Sequence, residues 1–245
     1  MKKTLSLSLF MSILFLFSCK KEEKAGLVEE TKTIEIDSAQ VQETETASEL
    51  NQDSLAYWKS IELLSDTALV DLKKLHPAFI LDVKYATTDN FTKQVLYECE
   101  KCLLRKKPAL ALIEAAKFFE GEGYKVKLFD TYRPNFIQWK MWEIVSDPRY
   151  VADPAKGSMH NRGAAVDLSL TDTEGNELEM GSPYDFFGQV SHHAYQDLPK
   201  EVLERRIYLK ESLAKFGFDP ITSEWWHYSY RDGHYNILNE SFECE

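Results

Sequence analysis

Apolar and polar positions along this chain change period several times, and each change predicts an element. Leu81-Asp-Val-Lys-Tyr85 alternates as a half-buried strand does and runs into a polar loop from Ala86 to Asn90. Leu112, Ala115, Ala116 and Phe119 recur at helical spacing; Pro108 fits the first turn of that helix, and Gly121 and Gly123 stop it. Tyr124 to Phe129 reads as a strand, and Pro134 opens a second helix through Ile137, Met141 and Ile144 toward Asp147-Pro148. Asp130-Thr-Tyr-Arg-Pro134 joins the two, so Arg133 sits at a strand-to-helix junction. From Gly163 to Leu170, Ala164, Val166, Leu168 and Leu170 share one face of a strand, and Ala165, Asp167 and Ser169 the other. Pro199 to Phe216 reads as an amphipathic helix closed by Gly217, and Glu224 to Tyr230 as a final aromatic strand. Both periods occur without an internal repeat. The fold they predict is α+β, a single domain with a mixed or antiparallel sheet and flanking helices around one site.

The N-terminal region follows another pattern. Lys2 and Lys3 precede an apolar run from Leu5 to Phe17, too short to span a bilayer, and Ser18-Cys19 follows. This resembles a bacterial lipobox, in which the signal is cut before the cysteine and the new N-terminal residue is acylated. Residues 1–18 are therefore expected to be a lipoprotein signal peptide and Cys19 the lipidation site. From Lys20 to Leu55 there is no aromatic residue and no proline, and four lysines face ten acidic residues. Such a segment buries too little apolar surface to offset its ordering entropy. Residues 19–55 read as an acidic tether and residues 56–245 as the folded domain, placed on the periplasmic or cell-surface side. The membrane is expected to be reached only through the lipid.

The formal net charge of −11 excludes a nucleic-acid binder. Beyond Cys19 the cysteines are Cys99, Cys102 and Cys244. Cys99-Glu-Lys-Cys102 could close a tight disulfide, act as a redox pair or form half a zinc knuckle. With no second such pair and no redox context, a local disulfide or spare thiols are expected.

The candidate chemistry lies in two stretches. Gly157-Ser-Met-His160-Asn-Arg-Gly-Ala-Ala-Val-Asp167 puts a loop histidine just before a strand carboxylate. Ser223-Glu224-Trp-Trp-His227 could add a second histidine. Two histidines and one aspartate suit zinc and leave a fourth position for water, which points to catalysis. Glu224 would then be the general base. Residues three apart on a regular strand face opposite ways, so Glu224 must lie in a loop or bulge before the strand that carries His227. Trp225 and Trp226 are expected to wall the site and keep it dry.

Tyr85-Ala-Thr-Thr-Asp-Asn-Phe91, Asp130-Thr-Tyr-Arg-Pro134, Gly157 through Asp167, Met180-Gly-Ser-Pro-Tyr-Asp185, Ser191-His-His193 and Glu224-Trp-Trp-His227 occur in that order. Together they resemble the D-alanyl-D-alanine dipeptidases, the group that includes the vancomycin-resistance dipeptidase. The resemblance implies one zinc per chain held by His160, Asp167 and His227, with Glu224 as catalytic acid/base and Arg133 stabilising the transition state. It also implies that Asp185 binds the ammonium group of a small D-dipeptide and that Ser158 lies on the substrate side; His192 and His193 resemble a family doublet and, with three ligands already assigned, are read as residues that support the ligands or pack. Met159 and Asn161 depart from the small polar residues of the family loop. Two rivals stand beside this reading. One is a D,D- or L,D-carboxypeptidase of peptidoglycan stem peptides, which needs no ammonium anchor; the other is a non-catalytic wall-binding lipoprotein, which needs neither base nor arginine.

Overall fold

A computed structural model describes residues 52–244. The predicted signal peptide, Cys19 and the tether as far as residue 51 lie outside the described residues. Among the described residues no helix is long and apolar enough to cross a membrane.

A helix over residues 52–61 (α1) leads in. Then follow β1 (Leu69–Asp71), α2 (Leu72–Leu75), β2 (Ile80–Leu81), β3 (Leu103–Arg105), α3 (Lys106–Gly121), β4 (Lys125–Asp130) and α4 (Asn135–Ile144). The chain closes with β5 (Ala165–Thr171), α5 (Lys200–Lys215), β6 (Phe218–Pro220) and β7 (His227–Tyr230). β1 and β3 form an antiparallel pair, and the main sheet has the order β2-β4-β5-β7-β6, parallel only between β2 and β4. Helices α3 and α5 bury Leu112, Ala116 and Phe119, and Val202, Leu209 and Leu213. They meet each other through Phe119 and Tyr208, whose ring centroids are 5.9 Å apart. Val166, Leu168 and Leu170 of β5 join the same hydrophobic core. By the alternation of a strand, Asp167 points to the opposite face, which carries the site.

The α+β fold and its helices match the sequence reading, and four details differ. Residues 52–55, read as the end of the tether, are helical, because α1 docks on the domain: Ile61 is buried and the Trp58 indole donates to the Leu75 carbonyl at 2.9 Å. The strand expected over Leu81 to Tyr85 stops at Leu81, and Lys84–Ala86 form a 3-10 turn. The cause is Asn90, whose buried amide donates to the carbonyls of Lys84, Thr87 and Gln94 and folds the chain back. The final strand, read by its apolar run from Glu224, pairs only from His227, which leaves Glu224 ahead of it as the three-residue spacing required. The local cysteine pair does not close: Cys99 is bonded to Cys244, and Cys102 is a buried free thiol. Cys102 enters β3 with its side chain in the core, so it turns away from the loop that holds Cys99.

Candidate metal centre and active site

The sheet register assembles the site. Asp167 on β5 lies directly opposite His227 on β7, and on its other side opposite Asp130 on β4. Directly opposed residues project to the same face with their β-carbons about 5 Å apart, so two ligands converge without a loop to hold them. A bulge between Leu128 and Asp130 bends β4 at this point. His160 comes from a 3-10 turn that ends at Gly163, a glycine in the left-handed region at φ 64°. A side chain there would be strained in the backbone and would press on Leu69 and Arg105.

The ligand atoms of His160, Asp167 and His227 lie within 4.8 Å of one another, and all three residues are buried. His160 Nε2 is 3.0 Å from His227 Nδ1, and Asp167 Oδ1 is 2.9 Å from His227 Nδ1. The outer contacts set which ring nitrogens face inward. His160 Nδ1 donates to the Thr131 carbonyl at 2.6 Å, which leaves Nε2 with a free lone pair. His227 Nε2 pairs with Ser229 Oγ at 3.0 Å, which turns Nδ1 inward. Tyr184 donates to Asp167 Oδ2 at 3.0 Å and orients the carboxylate. Two inward imidazole nitrogens and one carboxylate, each braced from behind, fit a divalent metal with nitrogen and oxygen preference.

Around this set a cavity of about 340 Å³ is lined by Arg133, Ser158, Asp185 and Glu224 as well as the three ligands. The metal, catalytic and substrate-binding residues expected from the sequence therefore line one space. Glu224 Oε2 stands 4.0 Å from His227 Nδ1. Burial pushes its carboxyl up to about 7, helped by the charges of Asp167 and Asp185 and opposed by His227 and Arg133. Asp185 is likewise pushed up to about 7 by burial, against a 2.7 Å hydrogen bond from the Tyr85 hydroxyl. Its backbone sits at φ 59°, a conformation uncommon outside glycine that aims the carboxylate at the cavity. A bound dication would lower both values.

Arg133 is held on one edge by Asp130 Oδ2, which accepts from Nε at 3.0 Å and Nη2 at 2.6 Å, while Nη1 donates to Gln138 at 2.9 Å. Three of its five N–H groups are thus engaged and two remain for a ligand. Asp130 is fixed in turn by the Tyr97 hydroxyl at 2.8 Å and the Thr131 amide at 2.9 Å.

Some parts escaped the sequence reading. Asn161, noted there only as a departure, is fully buried and ties the loop together: its Oδ1 accepts from the Ser158 amide and hydroxyl, and its Nδ2 donates to the Arg133 carbonyl. Asp130, Tyr85, Tyr97 and Tyr184 support the site from behind; Asp130, Tyr85 and Tyr184 fall within the ordered motifs, whereas Tyr97 lies outside all of them. Trp225 and Trp226 do not wall the cavity. They lie in the core, with the Trp225 indole bonded to Ser182 and Trp226 packed on Tyr184, so their effect on the site passes through those neighbours. The His193 amide bonds to the Thr222 carbonyl at 3.1 Å and its ring meets Tyr228 of β7 with centroids 6.4 Å apart.

The sequence matches the protein family described as D-ala-D-ala dipeptidase over residues 65–244. It is 36% identical over 183 residues to the D-alanyl-D-alanine dipeptidase of Escherichia coli (strain K12), covering 74% of this chain and 95% of that protein. The D-alanyl-D-alanine dipeptidase of Enterococcus faecium is 34% identical over 179 residues, covering 63% of this chain and 87% of its own length. A solved vancomycin-resistance D,D-pentapeptidase in complex with Zn(II) overlays with a TM-score of 0.37 at 17% identity, over 53% of this chain and 74% of that one, too loosely to bear on function. The family match spans nearly all of the described residues, and on it this chain belongs to the D-Ala-D-Ala dipeptidase family.

Proposed function

We propose that this protein is a zinc peptidase that hydrolyses D-Ala-D-Ala to two D-alanines. The observation that carries the reading is the convergence of His160, Asp167 and His227 with Glu224, Arg133 and Asp185 on one cavity. Zinc, when bound by the three ligands, supplies Lewis-acid polarisation and makes water acidic enough to react near neutral pH.

The chain's own residues supply the rest. Asp185 pairs with the substrate's α-ammonium group and fixes which peptide bond lies over the ligands. Glu224 takes a proton from the attacking water as its oxygen bonds to the carbonyl carbon. Negative charge then builds on the carbonyl oxygen, where the two free N–H groups of Arg133 stabilise it more than they stabilise the ground state. As the C–N bond breaks, Glu224 returns the proton to the leaving amine, and two free amino acids result. The carboxypeptidase rival has no use for Asp185, and a pure binding protein has none for Glu224.

The test is hydrolysis of a dipeptide panel, D-Ala-D-Ala included, with and without a chelator. Activity should vanish in chelator and return with one equivalent of zinc; His227→Ala should lose metal as well as rate. Full zinc content in His227→Ala would remove it from the ligand set. Arg133→Lys keeps the charge but cannot hold Asp130 and Gln138 while presenting two further N–H groups. Its kcat should fall about a hundredfold with KM little changed, and near-normal turnover would remove Arg133 from the mechanism.

We also place the enzyme outside the cytoplasm, anchored through an acylated Cys19, where it would salvage wall-derived dipeptides. The Cys99–Cys244 disulfide supports this, since such bonds persist in oxidising compartments. Fractionation of cells decides it: recovery of most of the protein with the cytosol would end the salvage reading.

A further inference from the structure

The C-terminal tail beyond β7 is tied to the site at several points. The Leu238 amide donates to the carbonyl of Asn161 at 2.8 Å, within the turn that carries His160. The Asn135 amide donates to the Leu238 carbonyl at 3.1 Å, and the Phe136 amide to Asn239 Oδ1 at 2.7 Å, so the tail also caps the start of α4 next to Arg133. The Tyr132 hydroxyl donates to the Glu240 carbonyl at 2.9 Å. Beyond Glu240, Lys101 donates to the Glu243 carbonyl, an exposed contact of small net worth, and the Cys99–Cys244 disulfide fastens the end covalently.

Between Glu240 and that disulfide lies Phe242. Its ring meets Tyr97 edge to face with centroids 5.0 Å apart, and Tyr132 at 6.0 Å. Tyr97 is the hub behind the site. Its hydroxyl holds Asp130, which grips Arg133, and its ring packs at 5.7 Å on Tyr85, whose ring faces the Arg133 guanidinium and whose hydroxyl holds Asp185.

We propose that Phe242, fastened by the Cys99–Cys244 disulfide, is a positioning residue for Arg133, acting through Tyr97 and Asp130. The inference rests on the hydrolytic reading above for its effect on turnover. It touches neither substrate nor metal, so its loss changes the placement of Arg133 without changing the ligands. Reduction of the disulfide frees the end of the tail and has the same effect in weaker form. A trialkylphosphine performs it with water as the oxygen source, giving two thiols and one phosphine oxide. Unlike a dithiol, it does not chelate the zinc.

The experiment uses the full folded chain loaded with zinc. Phe242→Ala should lower kcat about tenfold, with KM and zinc content unchanged, and Phe242→Tyr should restore most of the rate. A tetrahedral phosphinate analogue of the dipeptide should bind more weakly by the same factor as kcat falls. The Cys99→Ser/Cys244→Ser double variant should lose about threefold in kcat, phosphine should bring the wild type to that level, and the double variant should ignore phosphine. A second readout needs no turnover: the buried Arg133 Nε–H, bonded to Asp130, should exchange with solvent about tenfold faster in Phe242→Ala. Unchanged kcat and unchanged exchange, with only a lower melting temperature, would overturn the proposal, as would a loss of rate matched by loss of zinc. If the wild type fails to cleave the dipeptide, the hydrolytic reading falls, and the Arg133 exchange rate still decides the role of Phe242.

Discussion

Glu224→Gln is expected to keep its zinc and lose turnover by about a thousandfold. The amide matches the carboxylate in shape, and the three ligand atoms belong to other residues, so metal content has no reason to fall. What disappears is an oxygen able to take a proton from water and hand it on to the amine. Burial raises the Glu224 carboxyl to about 7 before metal binds, and a bound dication lowers it from there, so the group is more basic than an ordinary surface carboxylate would be beside the same metal. Zinc analysis beside single-turnover kinetics separates the two effects. A Gln variant with rates near wild type would assign the proton transfers to another group.

The second large effect concerns the substrate's amino terminus. N-acetyl-D-Ala-D-Ala should be cleaved at least about a hundredfold more slowly than D-Ala-D-Ala, because an acylated terminus leaves the Asp185 charge without a partner. Stranding a buried charge costs roughly 3 to 5 kcal/mol, and Asp185 keeps some solvent contact, which places the effect at the lower end. Asp185→Ala should weaken cleavage of the free dipeptide, narrow the gap between the substrates and leave zinc content alone. The gap should also narrow as pH falls. With its carboxyl raised to about 7, Asp185 takes up a proton below that value, loses its attraction for the ammonium group and no longer penalises a neutral terminus. Zinc moves the midpoint down without changing the direction. Equal rates for the two substrates at neutral pH would replace the dipeptidase with the carboxypeptidase.

The candidate ligands and base were legible through the ordered motifs and the family they resemble, and spacing added one constraint. Glu224 and His227, three apart, could not share a strand face, and the structure starts β7 at His227. The long helices were legible from period and from Pro108, Pro134 and Gly217. β1, β3 and β6, with three residues each, are too short to show alternation. The support behind the site was hidden for another reason. Tyr85 reaches Asp185 across 100 positions and Tyr97 reaches Asp130 across 33, and no local pattern encodes such contacts. The cysteine pairing was hidden likewise, since Cys99 takes a partner 145 residues away over a neighbour three residues off.

The strand order has a consequence for how the metal centre comes into being. β7 lies between β5 and β6, and β6 precedes it closely in the chain, so His227 arrives as part of a local hairpin that must dock on a strand about sixty residues upstream. A nascent chain that has emerged past Asp167 but not past residue 227 carries His160 and Asp167 but lacks the third ligand. Metal capture is therefore tied to completion of the polypeptide, and a truncated or stalled chain cannot retain zinc in a half-built centre.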